Sequence, residues 1–85
     1  MIENDNDKTL TFSLVDGNYD DTKSILLAVY SALAEKGYIP IDHIVGYILT
    51  EDPTYITNHK GARNLIRKID RYELLEVLLK SYMGV

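Results

Sequence analysis

The sequence has no cysteine, no tryptophan and only two prolines among its 85 residues. Without thiols, the chain can form neither disulfides nor thiolate metal sites. No apolar run approaches the ~18 residues of a membrane-spanning helix. The two histidines, His43 and His59, lie in different segments and make no metal-ligand pattern. We therefore expect no metal, no cofactor and no insertion into a membrane.

The net charge of −4 conceals a strong asymmetry along the chain. Residues 1–21 carry six acidic residues against one lysine (−5), whereas residues 58–71 carry five basic residues against one aspartate (+4). Two segments of opposite charge either attract each other or bind different partners. The acidic total disfavours binding to bulk nucleic acid. The acidic start is unlike a secretory signal, and we expect a cytoplasmic protein.

Residues 1–19 are predicted to be a flexible acidic tail, and residues 20–85 a helical domain. A short alternating patch over residues 9–14 has no partner strand in the chain, which favours an extended or disordered conformation. The patch contains the hydroxyls of Thr9 and Thr11. Phosphorylation of either one would add about 1.5 to 2 negative charges.

Helical periodicity predicts an all-α fold, a compact bundle of about four to five short helices. The first helix is expected over residues 21–36, with Gly37 as its left-handed end. Pro40 separates it from a second helix over residues 41–49. Gly46 costs that helix about 1 kcal/mol relative to alanine, so its small size is expected to allow another helix to cross closely. The predicted buried residues of the second helix are Ile44, Val45, Ile48 and Leu49.

A third helical pattern resumes at His59, with Arg63, Arg67 and Arg71 at four-residue spacing. Each step of four residues advances about 40°, so the arginines form a stripe unless a break near residues 70–72 displaces the last one. Guanidinium groups bind carboxylates and phosphates in a bidentate manner. The stripe is either a solvated face or a site for an acidic partner, a phosphothreonine or a nucleic-acid backbone.

The last helix, predicted to end near Met83, is apolar around most of its circumference. Its apolar residues are Leu74, Leu75, Val77, Leu78, Leu79 and Tyr82. A helix of this kind is buried on more than one side, which so small a monomer can hardly achieve. The sequence therefore predicts a homodimer with its seam at this helix.

Catalytic motifs are missing: there is no phosphate loop, no nucleophile elbow and no HExxH pair. His59 has no carboxylate nearby in the sequence to orient it as a base, and a surface histidine at a helix start is the simpler interpretation. We predict that the chain is not an enzyme.

Five motifs follow one another: DKTL (7–10), EKGYxPI (35–41), IVGYxL (44–49), DPxYI (52–56) and HxxARxxIR (59–67). Together they resemble the IreB/ReoM family of small regulatory phosphoproteins from low-GC Gram-positive bacteria. The resemblance covers nearly the whole chain. It implies a compact helical homodimer with a flexible N-terminal tail and no catalytic activity.

The resemblance also implies a pathway. A membrane Ser/Thr kinase with extracellular PASTA repeats phosphorylates a threonine of the tail, and a cognate phosphatase reverses the modification. The unphosphorylated form promotes degradation of MurA, an enzyme of peptidoglycan precursor synthesis, by the ClpC–ClpP protease. Phosphorylation relieves this degradation and so connects cell-wall stress to precursor supply and β-lactam tolerance.

Carried over to this chain, the family's tail motif makes Thr9 the expected phosphoacceptor and Thr11 a weaker second candidate. Candidates for partner contact are His59, Lys60, Arg63, Arg67 and Arg71. Thr50-Glu51 stands where Ser-Gly is usual before Asp-Pro, and Asn58 where a basic residue is common. The alternative to this function is a small helical nucleic-acid-binding protein that uses the helix around Arg63 and Arg67.

Overall fold

A computed structural model describes the backbone of residues 14–85 and the side chains of residues 21–85. In this part of the chain the α-helices are α1 (Leu14–Glu35), α2 (Pro40–Thr50), α3 (Ala62–Ile66) and α4 (Arg71–Met83). Two short 3₁₀ turns, Pro53–Tyr55 and His59–Gly61, connect α2 to α3. These residues contain no strand, and the predicted all-α fold is confirmed.

α1 begins at Leu14, seven residues before the predicted start at residue 21. The polar and glycine residues in this stretch are weak helix formers, which is why the sequence pattern placed the start later. Extending an existing helix adds a hydrogen bond for each residue fixed, so the helix can continue through them. The boundary predicted between residues 19 and 20 falls inside α1. Thr9, Thr11 and most of the predicted extended patch lie outside the described residues.

The end of α1 follows from one glycine, as predicted. Gly37 has φ of +85°, a left-handed conformation that glycine adopts without steric cost. The N–H of Tyr38 donates to the carbonyl of Leu33 at 3.0 Å, and that of Gly37 to Ala34 at 3.0 Å. This pair of bonds satisfies two of the free carbonyls at the helix end and turns the chain towards α2.

The core lies where α1 packs against both α2 and α3. Val29 and Leu33 of α1 are completely buried, as is Ile56 between the two 3₁₀ turns. The remaining buried apolar residues are Ala32, Ile44, Tyr47, Ala62, Ile66, Ile69 and Leu74. Helix α4 supplies only Leu74 to this core, so the tightly packed part of the molecule is the α1–α3 body.

The predicted buried face of α2 is partly wrong. Ile44 is buried and Ile48 partly so, but Val45 is exposed and Leu49 is 76% exposed, while Tyr47 is buried instead. Tyr47 lies beside Ile44 on the side of α2 that faces α1, and the adjoining apolar row of Ile41, Val45 and Leu49 is left exposed. Helical periodicity identified an apolar helix but did not determine which side meets the core.

Gly46 is needed for a close contact, though with a side chain and not with a crossing helix. A Cβ built on Gly46 would lie 2.5 Å from Cε1 and 2.6 Å from Cδ1 of Tyr55. The tyrosine ring therefore rests directly on the backbone of α2. This contact fixes the first 3₁₀ turn to the helix and explains why a residue unfavourable for helix formation occupies this position.

The third helical segment is shorter than predicted. α3 ends at Ile66, and Lys68 and Ile69 continue in 3₁₀-type bonds to the carbonyls of Leu65 and Ile66. Asp70 is extended, and its Oδ1 accepts hydrogen bonds from the N–H groups of Tyr72 and Glu73, which makes it the N-cap of a new helix. The break therefore lies at residues 67–70.

No helix of the described residues has the length and apolar character needed to cross a membrane.

Candidate interaction surfaces

The break between α3 and α4 separates the three arginines of the predicted stripe. Arg63 lies in α3, Arg67 in the turn that follows, and Arg71 is the first residue of α4. A continuous helical stripe is therefore not present in the structure. Its three members lie in different elements and have different surroundings.

Arg63 is partly buried and serves the fold. Its Nε donates to the backbone carbonyl of Ile56 at 2.9 Å. Ile56 is completely buried, and this carbonyl belongs to the irregular segment between the two 3₁₀ turns. A guanidinium donor to a buried carbonyl supplies the partner that a buried acceptor requires. Arg63 thus attaches α3 to the loop that precedes it.

Arg71 connects the end of α2 to the start of α4. Its Nη1 donates to the carbonyl of Ile48 at 2.7 Å, and its Nη2 lies 3.1 Å from Oε1 of Glu51. A positive group at a helix C-terminus is favoured because the last carbonyls lack partners within the helix. Arg71 is therefore positioned by α2 as much as by its own helix.

Arg67 and Lys68 are exposed in the turn between α3 and α4. Lys60 is also exposed, in the second 3₁₀ turn just before α3. Of the predicted contact residues in the basic segment, Arg67 is the most open to an incoming partner. Arg63 has its Nε engaged with the fold, and Arg71 and Lys60 each form an ion pair with a glutamate of the chain.

His59 does have a carboxylate partner, which sequence reasoning missed. Its Nε2 lies 2.7 Å from Oε1 of Glu35, the last residue of α1, and Nζ of Lys60 lies 3.2 Å from the same carboxylate. The hydrogen bond from His59, and next that from Lys60, lowers the pKa of the Glu35 carboxyl. Glu35 precedes His59 by 24 residues, so no local sequence signal indicates the pair.

The geometry around His59 gives this group a structural role. The backbone N–H of His59 donates to the hydroxyl of Thr57, and Lys60 has a left-handed φ of +54°. The hydrogen bond between His59 and Glu35 and the ion pair between Lys60 and Glu35 hold this strained turn against the end of α1. In the part of the chain that the structure describes, no group of three or more histidine and acidic side chains is arranged to hold a metal ion.

His43 packs between two tyrosines near the start of α2. Its ring centroid lies 4.8 Å from that of Tyr38 and 6.4 Å from that of Tyr55, the second in an edge-on arrangement. Its Nδ1 is buried and has no hydrogen-bond partner among the described residues. This aromatic cluster lies beside the contact of Tyr55 with Gly46 and joins the connector before α2 to the first 3₁₀ turn.

Apolar side chains cover the outer side of α4. Leu79 is 58% and Tyr82 92% exposed. Exposed beside them are Leu75, Leu78, Met83 and Val85. Helix α2 adds a second exposed row at four-residue spacing, formed by Ile41, Val45 and Leu49. Contiguous exposed apolar residues of this kind mark contact surfaces of proteins.

These observations define a small all-helical protein in which the prominent surface features are exposed basic residues around α3 and an apolar α4. Comparison with known families agrees with that class. Residues 7–84 match the family model described as IreB regulatory phosphoprotein. The chain belongs to this family, which is a family of regulatory phosphoproteins and not of enzymes. A regulatory role, exerted through protein partners, follows from the membership.

Proposed function

We propose that this chain is a non-enzymatic cytoplasmic regulator of peptidoglycan synthesis, switched by phosphorylation of Thr9. In this proposal a PASTA-type Ser/Thr kinase modifies Thr9 and a cognate phosphatase reverses the modification. The unphosphorylated form promotes degradation of MurA by ClpC–ClpP. The observation that carries the proposal is the family match, which extends from residue 7 and so includes the tail threonine. Thr11 is a second acceptor candidate.

Electrostatics supplies a mechanism for the switch. In this proposal the basic surface consists of Arg67, which is exposed, and Lys60, which is exposed beside its partner Glu35, and it suits an acidic partner. A phosphate on Thr9 adds about two negative charges to a segment that is already acidic. It either binds the basic residues and masks them or repels the acidic partner. Both routes weaken the association with the partner when Thr9 is phosphorylated.

A homodimer is part of the proposal, with α4 as its seam. The support is the exposure of the apolar side of α4, of which only Leu74 reaches the core of the single chain. A second copy of α4 offers the same apolar side, as a two-fold interface requires. The dimer would present two copies of the basic surface to its partners.

The nucleic-acid alternative lacks a supporting observation. α3 has only five residues, and Arg63 uses its Nε to bind the carbonyl of Ile56. A recognition helix needs several side chains directed towards base edges. The total charge of −4 also opposes binding to a polyanion.

The first experiment maps the modification. Intact mass and tandem fragmentation of the protein from wild-type cells and from cells lacking the PASTA kinase should show a kinase-dependent phosphate on Thr9. Loss of that phosphate in Thr9→Ala, with Thr11→Ala unchanged, assigns the site. An unmodified Thr9 in wild-type cells under cell-wall stress contradicts the proposed switch.

A second experiment addresses the client. Degradation of MurA by ClpC–ClpP is followed with unphosphorylated protein, with phosphorylated protein and with Arg67→Gln. We expect the last two to support slower degradation. Lys80→Gln is the matched control, because it removes one exposed positive charge from α4 and leaves the basic surface intact. Equal rates with Arg67→Gln and with Lys80→Gln contradict a role for the surface around α3.

A further inference from the structure

The C-terminal end of α2 has an unusual backbone conformation for its residue type. Glu51 has φ of +61° and ψ of +19°, in the left-handed region. A residue with a Cβ adopts this region at a steric cost, whereas glycine adopts it freely. The N–H of Glu51 donates to the carbonyl of Tyr47, a bond that glycine would make equally well. The backbone alone therefore does not explain a glutamate here.

What the glutamate adds is a carboxylate beside Arg71. Oε1 of Glu51 lies 3.1 Å from Nη2 of Arg71. The other terminal nitrogen of the guanidinium is fixed on the carbonyl of Ile48 at 2.7 Å. The carboxylate thus occupies the edge of the guanidinium that a phosphate or a partner carboxylate would bind.

We propose that Glu51 is an internal competitor for Arg71, so that an anionic group reaches this arginine only by displacing the Glu51 carboxylate. The inference rests on the proposed function of the basic segment as a surface for anionic groups. The inference distinguishes Arg67 from Arg71. Arg67 is open to an anion at once, whereas Arg71 joins only when the incoming group outcompetes an ion pair of the chain itself.

Exposure makes the competition reversible. Both side chains of the pair are partly accessible to water, at 34% for Arg71 and 64% for Glu51. Ion pairs in such settings contribute little net free energy and are readily exchanged for other partners. Arg71 also begins α4, and its bond to Ile48 joins α4 to α2. An anion that displaces Glu51 therefore acts at the base of the apolar helix.

The test uses inorganic phosphate and the whole protein, without kinase, protease or client. The ¹⁵N-detected Nε–Hε resonances of Arg67 and Arg71 are followed during phosphate titration of wild type, Glu51→Gln, Glu51→Gly and Glu76→Gln. Glu76→Gln is the matched control because Glu76 also pairs with a cation, Lys80. We expect phosphate to bind roughly two- to fivefold tighter at Arg71 in both Glu51 variants. The Arg67 resonance should report little change.

Thermal unfolding of the same variants separates competition from a structural effect. Glu51→Gly removes the left-handed strain and should melt at a higher temperature than Glu51→Gln, which keeps the strain and loses the ion pair. If competition is correct, both variants still bind phosphate more tightly at Arg71. If affinity follows melting temperature, Glu51 acts only through stability and the inference is wrong.

Three further results overturn the inference. They are an unchanged affinity at Arg71 in both Glu51 variants, no response of Arg71 to phosphate in any variant, and equal tightening in Glu76→Gln, which would indicate net charge alone. None of them bears on phosphorylation of Thr9 or on MurA degradation, which the experiments above test separately.

Discussion

The α1–α3 body buries its apolar side chains, whereas helix α4 leaves most of its apolar side chains exposed. In the body, apolar side chains of α1, α2 and α3 converge until Val29, Leu33 and Ile56 lose all contact with water. In α4, a comparable supply of leucines places only Leu74 in the core and leaves the rest at the surface. The same residue type is therefore used for internal packing in one region and as contact surface in the other.

A matched pair of leucines gives the largest expected effect and tests that comparison most directly. Leu33→Ala removes a completely buried side chain and should lower the free energy of unfolding by about 2–5 kcal/mol. Leu79→Ala removes a side chain that is 58% exposed, and in the monomer it should cost less than about 1 kcal/mol. Urea unfolding at several protein concentrations measures both, and sedimentation reports the oligomer.

The proposed dimer makes a second difference between the two leucine variants measurable, because the stability of a dimer depends on protein concentration. Leu79→Ala should weaken association while leaving the unfolding of the diluted monomer almost unchanged. Equal losses for Leu79→Ala and Leu33→Ala under dilute conditions would mean that α4 is packed into the body. The comparison between the two regions would then fail.

The contact between Gly46 and Tyr55 tests how rigid the body is. An alanine Cβ at position 46 would meet the ring of Tyr55 at 2.5 Å, and such overpacking costs about 1–3 kcal/mol. Better helix propensity offsets about 1 kcal/mol of that cost, so Gly46→Ala should lower stability by up to about 2 kcal/mol. Thermal or urea unfolding of the purified variant measures the net change.

A double-mutant cycle identifies the cause. In a Tyr55→Leu background the ring is absent, and Gly46→Ala should become neutral or stabilising. A Gly46→Ala protein more stable than wild type would show that the Tyr55 ring moves aside at no cost in free energy. The body would then tolerate a substitution at this point as readily as the exposed surface of α4.

The sequence predicted some structural features of the two regions better than others. Local signals sufficed for the end of α1 at Gly37, for the all-α class and, to within one residue, for the start of α2, which was predicted at Ile41 and lies at Pro40. The exposed side of α2 was not predictable, since Ile44 and Leu49 are equally apolar and only packing against α1 distinguishes them. The apolar character of α4 was evident from the sequence, and its exposure appears in the structure.

The candidate site was predictable in composition but not in arrangement. The positions of Arg63, Arg67 and Arg71 follow from the sequence, but the bond of Arg63 to the carbonyl of Ile56 depends on a turn with no simple pattern. The pairs of Glu35 with His59 and of Glu51 with Arg71 span 24 and 20 residues. Contacts over such separations arise from tertiary structure alone.

The smallest expected effect is on stability at low pH, through the exposed carboxylate of Glu35 at the end of α1. Hydrogen bonds from His59 and then Lys60 hold the pKa of Glu35 below its ordinary value of 4.5. Because the folded pKa is lower than the unfolded one, the stabilisation is complete above about pH 4.5 and is lost as the pH falls through the folded value. Wild type should therefore lose stability below about pH 4.5 more steeply than Glu35→Gln.

Melting temperatures measured from about pH 7 down to about pH 3 show the difference as two curves that converge in acid. Glu76→Gln is the control, because Glu76 pairs with Lys80 four residues along the same helix and joins no two parts of the fold. Parallel curves for wild type and Glu35→Gln would mean that the contact between α1 and the second 3₁₀ turn does not depend on this carboxylate. Packing would then hold the body closed without ionic assistance, and the contrast with α4 would rest entirely on buried apolar side chains.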